Sequence, residues 1–493
     1  MIMAEPGRRV FIFGTDGLRP DQFDPAVMPT LHKLRSSGTV VDQYHAVYPT
    51  HTRVNISTLA TGCTPAKHGI VANVFRQVGA TEDGIINTSD YRHLQSLDAF
   101  FEGKGIAAPT LGDIVDGRGK RLAIAATSTS GAGIIWNRNF PYRVVNPGST
   151  YGRADLYSLR DKLGEVPDAG LPPKLDWVDY AARAVTDIYL DDDEIEVIVL
   201  WLAEPDSSLH YYGIGSPETT AAMKGCDDAL AHILDAMDRR GIRDQFDIIH
   251  LSDHGHSTVV ARRTLAEHLD RARQSVADLP PLLTASDYIY PDPAHGEPSA
   301  AALSRLIGWL QEQPWTGAIL ARDEIATSNP GVLPLSAAWG QSAYERLPLL
   351  AVSPAWSDAP NDFGVSGTVA AMTEHAALRS THGSASPYEL HAMASFIGPD
   401  FAEGKVSDLP AGAIDIAPTV LSLIGEPVPD WMQGRVLHET LRRSEGEPGE
   451  TSIEQIEPAQ IGDNGFAPVA HLHRVGSQRY LHLIENGHDQ GFQ

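Results

Sequence analysis

The sequence predicts an α/β protein with a mainly parallel central sheet, helices on both faces of that sheet, and an inserted cap lobe. Two observations support this class. Continuous apolar runs, which are typical of strands buried on both faces, recur along the chain. Segments with helical periodicity separate these runs, and the alternation favours a sheet covered on both sides. The clearest runs are Val10–Phe13, Arg121–Thr127, Glu196–Leu202 and Phe246–Leu251.

The first elements along the chain are a strand, a helix and a second strand. Arg9–Gly14 is predicted to be a strand that ends just before Asp16. Met28–Arg35 is predicted to be a helix, for which Gly38 is the stop signal. The apolar Thr39–Val47 follows as the second strand.

A threonine-containing turn comes after the second strand. The chain turns at Pro49 into Val54–Ala60, whose apolar spacing predicts a short helix with a threonine as its first residue or cap. A hydroxyl there lies beside free N–H groups at the positive end of a helix, which suits an anionic phosphoryl group. Threonine is also a common helix cap without any chemistry, so this turn alone does not establish a nucleophile.

The middle of the chain continues the alternation, with two interruptions. Gly79–Glu102 has no clear period and is interpreted as an excursion over the active-site face. Asn146–Leu171 is rich in glycine, proline and charge and is interpreted as an insertion. The later predicted elements are helices Leu111–Val115, Leu175–Leu190, Pro217–Arg239 and Ile414–Ile424 and strand Ala392–Ile397.

The chain divides into three predicted parts. Residues 8–258 and 380–442 form a discontinuous catalytic α/β core. Residues 259–379 mix helix and strand signals and form the inserted cap or second lobe. Residues 443–493 form a C-terminal extension, in which 462–491 could form a hairpin at a sheet edge.

Composition and charge narrow the function classes. The 493 residues include 63 acidic and 38 basic side chains, and the net charge of −25 repels nucleic acid and anionic lipid. An anionic substrate would need local counter-charge, for which metal ions are the usual source. No apolar run reaches the roughly 18–20 residues of a membrane span. We therefore expect a small anionic phosphoester as the partner, without nucleic acid or membrane, and the oligomeric state stays open.

The redox and targeting signals favour the cytoplasm. Met1–Arg9 is short and polar and lacks the hydrophobic region of a secretory signal. Two cysteines, Cys63 and Cys226, cannot form a disulfide framework. A cytoplasmic localisation is the expectation from these two observations.

Polar residues stand at the ends of several predicted strands. In sheets of this kind, ligands bind outside the carboxyl ends of the strands. Chance placement is an alternative, but one convergent site is the simpler interpretation. The residues concerned are Asp16, Thr52, Asp206, Asp253 and His254.

Acids and histidines in these motifs form a candidate metal-ligand set. Asp206 and His210 are four residues apart, so a helical turn places both on one face. Asp253-His254 follows a buried strand, and His382 stands in a loop rich in glycine and serine. Carboxylate oxygens and imidazole nitrogens are zinc-type donors. Two such ions about 3.5–4 Å apart can clamp a phosphoryl group.

Each of these motifs also has an ordinary structural interpretation. An aspartate before a helix is often an N-cap, and a turn after a strand often holds such polar residues. His382 alone is a weak signal, because the chain contains 20 histidines. Four neighbouring residues are expected to be structural or to support the ligands: Glu204, His45, His51 and His256.

Taken in order, the motifs resemble the alkaline phosphatase superfamily and, within it, the type I phosphodiesterase/nucleotide pyrophosphatase family. The resemblance extends from Val10 to about Leu437. Several motifs in the right order are more specific than any one of them. The motifs are Asp16-Gly, Pro49-Thr-x-Thr, Thr61-Gly-x-x-Pro-x-x-His-Gly-Ile-x-x-Asn, Glu204-Pro-Asp-Ser-Ser-x-His, Ser252-Asp-His-Gly, Thr381-His-Gly-Ser and Asp415-Ile-Ala-Pro-Thr-Val-Leu-Ser-Leu-Ile-Gly.

The resemblance implies a hydrolase with two zinc ions and a threonine nucleophile. The spacing to Gly62 and Asn73 in the family assigns the nucleophile to Thr52 rather than Thr50. Zinc would activate this hydroxyl for in-line attack, which gives a phosphothreonine intermediate. Asn73 and the Thr52 N–H would stabilise a nonbridging oxygen. One zinc ion would be held by Asp206, His210 and His382, and the other by Asp16, Asp253, His254 and Thr52.

Two departures from the resembling sequences bear on the substrate. Arg53 stands where nucleotide pyrophosphatases usually carry an aromatic residue, so it could contact a second anionic group or be solvated. Monoesterase and phosphonoacetate hydrolase relatives carry Lys-x-Arg or Lys-x-Lys where this chain has Thr127–Gly131. A phosphodiester or pyrophosphate substrate is therefore expected.

Three alternatives to that function stay open at this stage. A phosphomonoesterase or a phosphonate hydrolase could use the same two-metal site. Arg138 could then supply the missing cation if its loop folds back. A non-catalytic binding protein that retained the scaffold is the rival of a different class.

Overall fold

The computed structural model describes residues 8–138, 144–149, 159–340, 346–373, 377–443, 446 and 449–488. Its strands, numbered in chain order, are β1 Arg9–Thr15, β2 Thr39–His45, β3 Val74–Arg76, β4 Ile85–Asn87, β5 Arg121–Ala126, β6 Val144–Val145, β7 Ile195–Leu202, β8 Phe246–Leu251, β9 Ser257–Arg263, β10 Leu282–Ala285, β11 Tyr288–Pro291, β12 Thr316–Ala321, β13 Leu333–Pro334, β14 Leu350–Pro354, β15 Trp356–Pro360, β16 Ser366–Met372, β17 Ser380–Thr381, β18 His391–Ile397, β19 Lys405–Ser407, β20 Ala411–Gly412, β21 Thr451–Ile456, β22 Ala470–Val475 and β23 Gln478–Ile484.

The helices connect and cover these strands. Short 3-10 turns lie at Pro20–Gln22, Arg243–Gln245, Ala413–Asp415 and His438–Thr440, and a π-helical turn at Val185–Tyr189. The α-helices are Pro29–Ser37, Thr52–Thr61, Pro65–His68, Tyr91–Phe100, Leu111–Gly117, Ser130–Trp136, Arg160–Leu163, Leu175–Ala184, Asp206–Tyr212, Pro217–Arg240, Leu265–Ser275, Ala300–Gln311, Asp323–Ser328, Ser336–Trp339, Pro387–Leu390 and Ile416–Leu423. No helix among the described residues is long and apolar enough to cross a membrane.

The central sheet confirms the predicted α/β class. Its strand order is β19-β2-β18-β8-β1-β7-β5-β6, and β20 also pairs with β2. β1 runs parallel to both β7 and β8, whereas β18 is antiparallel to both of its neighbours. The carboxyl ends of β1, β7 and β8 therefore meet at one edge of the sheet, which is where this architecture binds ligands.

The central sheet is covered on both faces, as its apolar runs predicted. Along β1, Val10 and Ile12 join one hydrophobic cluster, and Phe11 and Phe13 join another. Successive side chains of a strand point to opposite faces, so the two clusters lie on the two sides of the sheet. Helix Thr52–Thr61 contributes to the first cluster and helix Pro217–Arg240 to the second.

Residues 259–379, the predicted cap lobe, contain a second sheet of five strands in the order β10-β11-β14-β12-β13. Leu303, Leu306 and Ile319 belong to a further hydrophobic cluster in this region. A four-stranded sheet, β15-β16-β9-β17, joins this region to β17 just before the His382 loop. The exact division into core and lobe stays a prediction.

Three regions differ from the prediction or extend it. Gly79–Glu102 holds strand β4 and the helix Tyr91–Phe100, whose N-cap Asp90 accepts a hydrogen bond from the Arg92 N–H. The C-terminal hairpin is present as β22 and β23, but it pairs with β21 in a separate three-stranded sheet rather than at an edge of the central sheet. Within the predicted insertion, 150–158 lie outside the described residues, and Arg160–Leu163 is helical.

Candidate metal centre

Three loops at the carboxyl ends of β1, β7 and β8 hold the predicted acids together. Asp16 follows β1, and its N–H donates to the carbonyl of Leu202 at the end of β7, over 3.0 Å. The Asp206 N–H donates to the Asp16 carbonyl, also over 3.0 Å. The Gly17 N–H donates to Asp253 Oδ1 over 3.2 Å. These backbone bonds fix the three carboxylates relative to one another.

Thr52 is the first residue of the helix Thr52–Thr61, as predicted for a hydroxyl at a helix N-terminus. His51 is the N-cap and has extended backbone, and the first intrahelical bond runs from the Asn55 N–H to the His51 carbonyl. The Thr52 N–H makes no hydrogen bond within the described part of the chain. Such N–H groups at the positive end of a helix attract anions.

One group of predicted ligands surrounds His254 Nε2. This nitrogen lies 3.2 Å from Thr52 Oγ1, 3.2 Å from Asp253 Oδ2 and 3.5 Å from Asp16 Oδ1. All four residues are buried. Asp16, Asp253 and His254 can together offer donor atoms within 4.8 Å of one another.

A second group surrounds Asp206 Oδ1. His210 Nε2 lies 3.4 Å and His382 Nε2 3.5 Å from this oxygen. His256 Nε2 is nearer, at 2.8 Å. The His254 and His382 rings stack with centroids 3.8 Å apart, so the two groups form one continuous site.

The histidines of both groups present Nε2 to the site because Nδ1 faces a backbone carbonyl. His210 Nδ1 lies 2.8 Å from the Ser380 carbonyl, His382 Nδ1 2.6 Å from the Thr50 carbonyl and His254 Nδ1 3.0 Å from the Gly255 carbonyl. A carbonyl oxygen can only accept a hydrogen bond, so in each neutral ring the proton is on Nδ1 and the lone pair is on Nε2. Metal-binding histidines are held in this way.

The carboxylates of the site need positive charge. Asp16 Oδ1 and Asp253 Oδ2 are buried and have no hydrogen-bond partner in the described structure. Burial, reinforced by neighbouring carboxylates, raises the pKa of Asp16 well above its usual range and that of Asp253 to about 8. Unpartnered carboxylate oxygens facing imidazole lone pairs are the arrangement that a divalent cation stabilises.

The donor spacing fits metal coordination. Tetrahedral zinc with bonds of about 2.0–2.2 Å places its ligand atoms about 3.3 Å apart. The separations around His254 and Asp206 range from 2.8 to 3.5 Å. The residues present therefore fit the metal ions that the sequence predicted, and their roles as ligands stay predictions.

His256 is closer to the candidate metal centre than the sequence suggested. It was expected to be structural or supporting, but its Nε2 atom makes the shortest contact to Asp206 Oδ1. Its Nδ1 lies 3.1 Å from Ser380 Oγ, which itself donates to the Leu209 carbonyl. The signal in the sequence was its position two residues after His254, on the same tight turn.

Glu389 supports the site without any sequence motif that predicted it. Its buried carboxylate accepts hydrogen bonds from the hydroxyl of Thr50 and from the N–H groups of Gly383 and Ser384. These contacts fix the loop that carries His382 against the turn that carries Thr52. The residue lies in an ordinary helical segment, Pro387–Leu390, so only the tertiary structure reveals its role.

Asn73 and Arg53 lie at the open side of Thr52. Asn73 Oδ1 accepts a hydrogen bond from the Arg53 N–H over 3.3 Å, which leaves the Asn73 NH2 group for a ligand. Arg53 is half-buried, and its pKa is lowered by burial, against which the carboxylates of Asp16, Asp206 and Asp253 act. Its guanidinium is therefore within electrostatic range of the candidate metal centre.

Arg138 does not fold back to the site. Its guanidinium is bonded to Asp113, at 3.0 and 3.2 Å, and lies 3.4 Å from Asp98. The cation that a monoester-specific relative would need is therefore not supplied by this residue.

The other residues near the motifs have separate roles. Glu204 accepts from the N–H groups of Lys174 and Ser208 and so anchors the start of helix Asp206–Tyr212. His51 Nδ1 accepts from the Asn73 N–H over 3.1 Å. His45 lies in a different histidine cluster. The contacts of Glu204 and His51 agree with the expectation that these two residues are structural, whereas His45 lies away from the candidate metal centre.

Fold and site together define an α/β protein with a candidate metal-ligand set at the carboxyl ends of a mainly parallel sheet. The model of the family described as type I phosphodiesterase / nucleotide pyrophosphatase matches residues 10–304. The chain belongs to this family, and the resemblance inferred from its motifs is confirmed.

Known relatives match part of the chain. It is 26% identical over 259 residues to the venom phosphodiesterase CdcPDE of Crotalus durissus collilineatus, a match that covers 52% of this chain and 27% of that protein. It is 24% identical over 250 residues to ectonucleotide pyrophosphatase/phosphodiesterase family member 3 of Bos taurus, covering 50% and 24%. The chain thus matches about a quarter of the length of these relatives.

A solved structure shares the fold. Murine ectonucleotide pyrophosphatase/phosphodiesterase 5, an inactive variant in complex with AMP, matches with a TM-score of 0.60. The match covers 88% of this chain and 100% of that chain at 19% identity. This likeness confirms the predicted fold class.

Proposed function

We propose that this protein is a metal-dependent phosphodiester or pyrophosphate hydrolase in which Thr52 is the nucleophile. One observation carries the proposal: Thr52 Oγ1, at a helix N-terminus, lies 3.2 Å from His254 Nε2 beside the unpartnered carboxylate oxygens of Asp16 and Asp253. Membership of the phosphodiesterase/pyrophosphatase family supports the reaction class.

Two zinc ions are the cofactors that the donor set favours. When bound, they would lower the pKa of the Thr52 hydroxyl and offset the negative charge of the phosphoryl group. The proposed ligands are Asp206, His210 and His382 for one ion and Asp16, Asp253, His254 and Thr52 for the other, with His256 as a further candidate beside Asp206.

The residues of the chain then carry the reaction in two displacements. Thr52 Oγ loses its proton to solvent and attacks the phosphorus, so that a new oxygen–phosphorus bond forms while the bond to the leaving oxygen breaks. The leaving group departs as an alkoxide or a phosphate with the electrons of that bond, and the alkoxide takes up a proton from water. The Thr52 N–H and the Asn73 NH2 group stabilise a nonbridging oxygen during this step. Water then cleaves the phosphothreonine, which releases the product and restores the Thr52 hydroxyl.

The charges around the site favour a diester over a monoester. A dianionic monoester has one more negative charge to compensate, and Arg138 is bonded to Asp113 instead. Arg53 is the cation closest in sequence to the nucleophile, and it suits a second anionic group such as the far phosphate of a pyrophosphate. The relative solved with AMP is in keeping with a small nucleotide-type substrate.

The deciding experiment compares bis(p-nitrophenyl) phosphate with p-nitrophenyl phosphate on the zinc-loaded protein. The proposal requires a higher kcat/KM for the diester. A strong preference for the monoester would instead favour a phosphomonoesterase, and turnover of a phosphonate alone would favour a phosphonate hydrolase.

The variant Arg138→Gln tests whether the Arg138 guanidinium contributes to substrate preference. Arg138→Gln is expected to leave the ratio of the two kcat/KM values unchanged, because this side chain is held by Asp113 and Asp98. If the monoester rate falls selectively in this variant, Arg138 reaches the substrate and the charge argument is wrong.

A further inference from the structure

A second cluster of histidines lies where the C-terminal sheet packs on the central sheet. It consists of His45, His391, His473 and His482, from four different strands. His45 ends β2 and His391 begins β18, whereas His473 and His482 belong to β22 and β23. None of these residues belongs to the candidate metal centre around Thr52.

The strand pairing places these rings together. His391 and His45 are direct partners in the antiparallel ladder between β18 and β2, so their side chains lie on the same face. On β23, His482 is the extra residue of a β-bulge, since His471 pairs with Leu483 and Leu472 pairs with Leu481. A bulge re-aims a side chain, and here His482 points at the other two histidines.

Three ring nitrogens converge at one point. His482 Nδ1 lies 2.8 Å from His391 Nε2 and 3.3 Å from His45 Nε2, and all three atoms are within 4.8 Å of one another. Tetrahedral zinc bound by imidazoles at about 2.0–2.1 Å has ligand nitrogens about 3.3 Å apart. The spacing of this cluster is therefore close to that of a metal site before its ion binds.

The tautomer of His45 is fixed in the form that binds metals. Its Nδ1 lies 3.2 Å from the Ala411 carbonyl, which accepts only from an N–H, so the Nε2 lone pair faces His482. One proton on His482 Nδ1 can bond fully to only one of its two neighbours. A single cation would satisfy all three nitrogens at once.

A further observation points to a ligand at this cluster. His473 stacks on His482 with ring centroids 4.4 Å apart, and its buried Nδ1 has no hydrogen-bond partner within the described chain.

We propose that His45, His391 and His482 form a separate binding site for a divalent transition metal ion of the zinc type. Imidazole ligands suit zinc, copper, nickel and cobalt, and burial within a sheet interface suits a structural ion. The ion would join β2 and β18, which flank the Thr52 turn and the His382 loop, to β23 of the C-terminal sheet. A water molecule would complete the coordination.

The test counts Co²⁺ bound to the full-length apoprotein, using metal analysis and the visible absorption of tetrahedral Co²⁺. His391→Gln and His482→Gln are each expected to lose one equivalent relative to wild type. His471→Gln is the matched control, because His471 lies on β22 but is bonded to Glu485 outside the cluster. It is expected to keep the full number of equivalents.

A further variant, changed in the candidate catalytic centre instead, tests the proposal even if His391→Gln and His482→Gln fail to fold. Asp16→Asn combined with Asp206→Asn removes carboxylates from the candidate catalytic centre and is expected to retain the one equivalent bound by the histidine cluster. Loss of all Co²⁺ in this double variant, or unchanged stoichiometry in folded His391→Gln and His482→Gln, would overturn the proposal. Neither outcome depends on whether the protein hydrolyses phosphodiesters.

Discussion

Thr52 Oγ1 lies 3.2 Å from Nε2 of His254, although 202 residues separate them in the sequence. β8 ends at the same edge of the sheet as β1, and the helix that begins at Thr52 packs in the hydrophobic cluster on one face of that sheet. His254 Nδ1 faces the Gly255 carbonyl, so the nitrogen toward Thr52 carries a lone pair. The lone pair of this nitrogen and the Thr52 oxygen therefore face the same point, where one metal ion would bind both under the proposed function.

The first prediction is that Thr52→Ala abolishes turnover. Without the hydroxyl no covalent intermediate forms, and kcat/KM should fall about 10³-fold or more. The measurement is hydrolysis of bis(p-nitrophenyl) phosphate, with bound metal determined in the same samples. Thr61→Val is the matched control, because Thr61 lies in the same helix and bonds only to the Ser57 carbonyl and the Cys63 N–H. Full activity in Thr52→Ala would rule out the covalent route.

The second prediction concerns Asn73. Asn73→Ala should lower kcat about 10²-fold with a smaller change in KM, because its amide stabilises charge that develops in the transition state. Steady-state kinetics on the same diester give the two parameters. Metal content and the unfolding temperature should match wild type. If kcat is unchanged and kcat/KM falls only because KM rises, Asn73 binds the substrate without stabilising the transition state.

The third prediction concerns Glu389, whose hydrogen bonds hold the loop that carries His382 against the turn that carries Thr52. Glu389→Ala leaves the Thr50 hydroxyl and the Gly383 and Ser384 N–H groups without their acceptor, so unfolding free energy should fall by about 2–4 kcal/mol. Bound metal should fall as well, because the loop with His382 loses its anchor. Urea unfolding and metal analysis check both effects. Glu389→Gln keeps one carbonyl acceptor, so its unfolding free energy and its bound metal should lie between those of wild type and Glu389→Ala.

The fold could be predicted well where a buried element is one continuous apolar stretch of the sequence. Each core strand is a continuous apolar run, and β1, β5, β7 and β8 were predicted within two residues of their observed ends. The helix Tyr91–Phe100 was missed because only Leu94 and Leu97 of its residues are buried, so its apolar face is too narrow to show a period. The separate C-terminal sheet was missed because pairing partners depend on tertiary structure.

The residues of the candidate site could likewise be predicted only in part. Asp16 could be found because it stands at a predicted strand end, and His382 because it lies in a motif shared with the resembling family; the structure brings both into one site. Glu389 acts partly through Thr50, 339 residues away, so no local spacing reveals its role. His256 is marked in the sequence only by its position near His254, because its contact to Asp206 depends on tertiary structure. The histidine cluster depends on a bulge in β23, which is set by strand register rather than by residue type.

The fourth prediction separates charge from shape at Arg53. Arg53→Met keeps much of the side-chain volume but removes the positive charge that interacts with the carboxylates of the site. KM for a dinucleotide pyrophosphate should rise about tenfold, whereas KM for bis(p-nitrophenyl) phosphate should change less, because only the pyrophosphate has a second anionic group. Equal changes for both substrates would assign Arg53 to general positioning instead.

The fifth prediction is a pH dependence of stability that originates at Asp247 on β8. This carboxylate is fully buried, its Oδ2 is 3.4 Å from Arg8 Nε, and its Oδ1 accepts from the Asp400 N–H. Burial raises its pKa from 3.8 to about 7. Since the folded state holds the proton more tightly than the unfolded state, this group lowers the unfolding free energy progressively as the pH rises from about 4 to about 7.

Asp247→Asn removes that titration and keeps an oxygen that can accept from the Asp400 N–H. Relative to wild type, the variant should gain about 2–3 kcal/mol in unfolding free energy between about pH 5 and pH 8, as estimated at 1.36 kcal/mol per pKa unit. Urea unfolding at the two pH values, under identical metal conditions, measures this difference. Asp244→Asn, an exposed neighbour just before β8, should show no such gain. The prediction is wrong if the unfolding free energies of Asp247→Asn and wild type change equally between the two pH values. Asp247 would then be ionised in the folded protein, with Arg8 offsetting the cost of burying its charge.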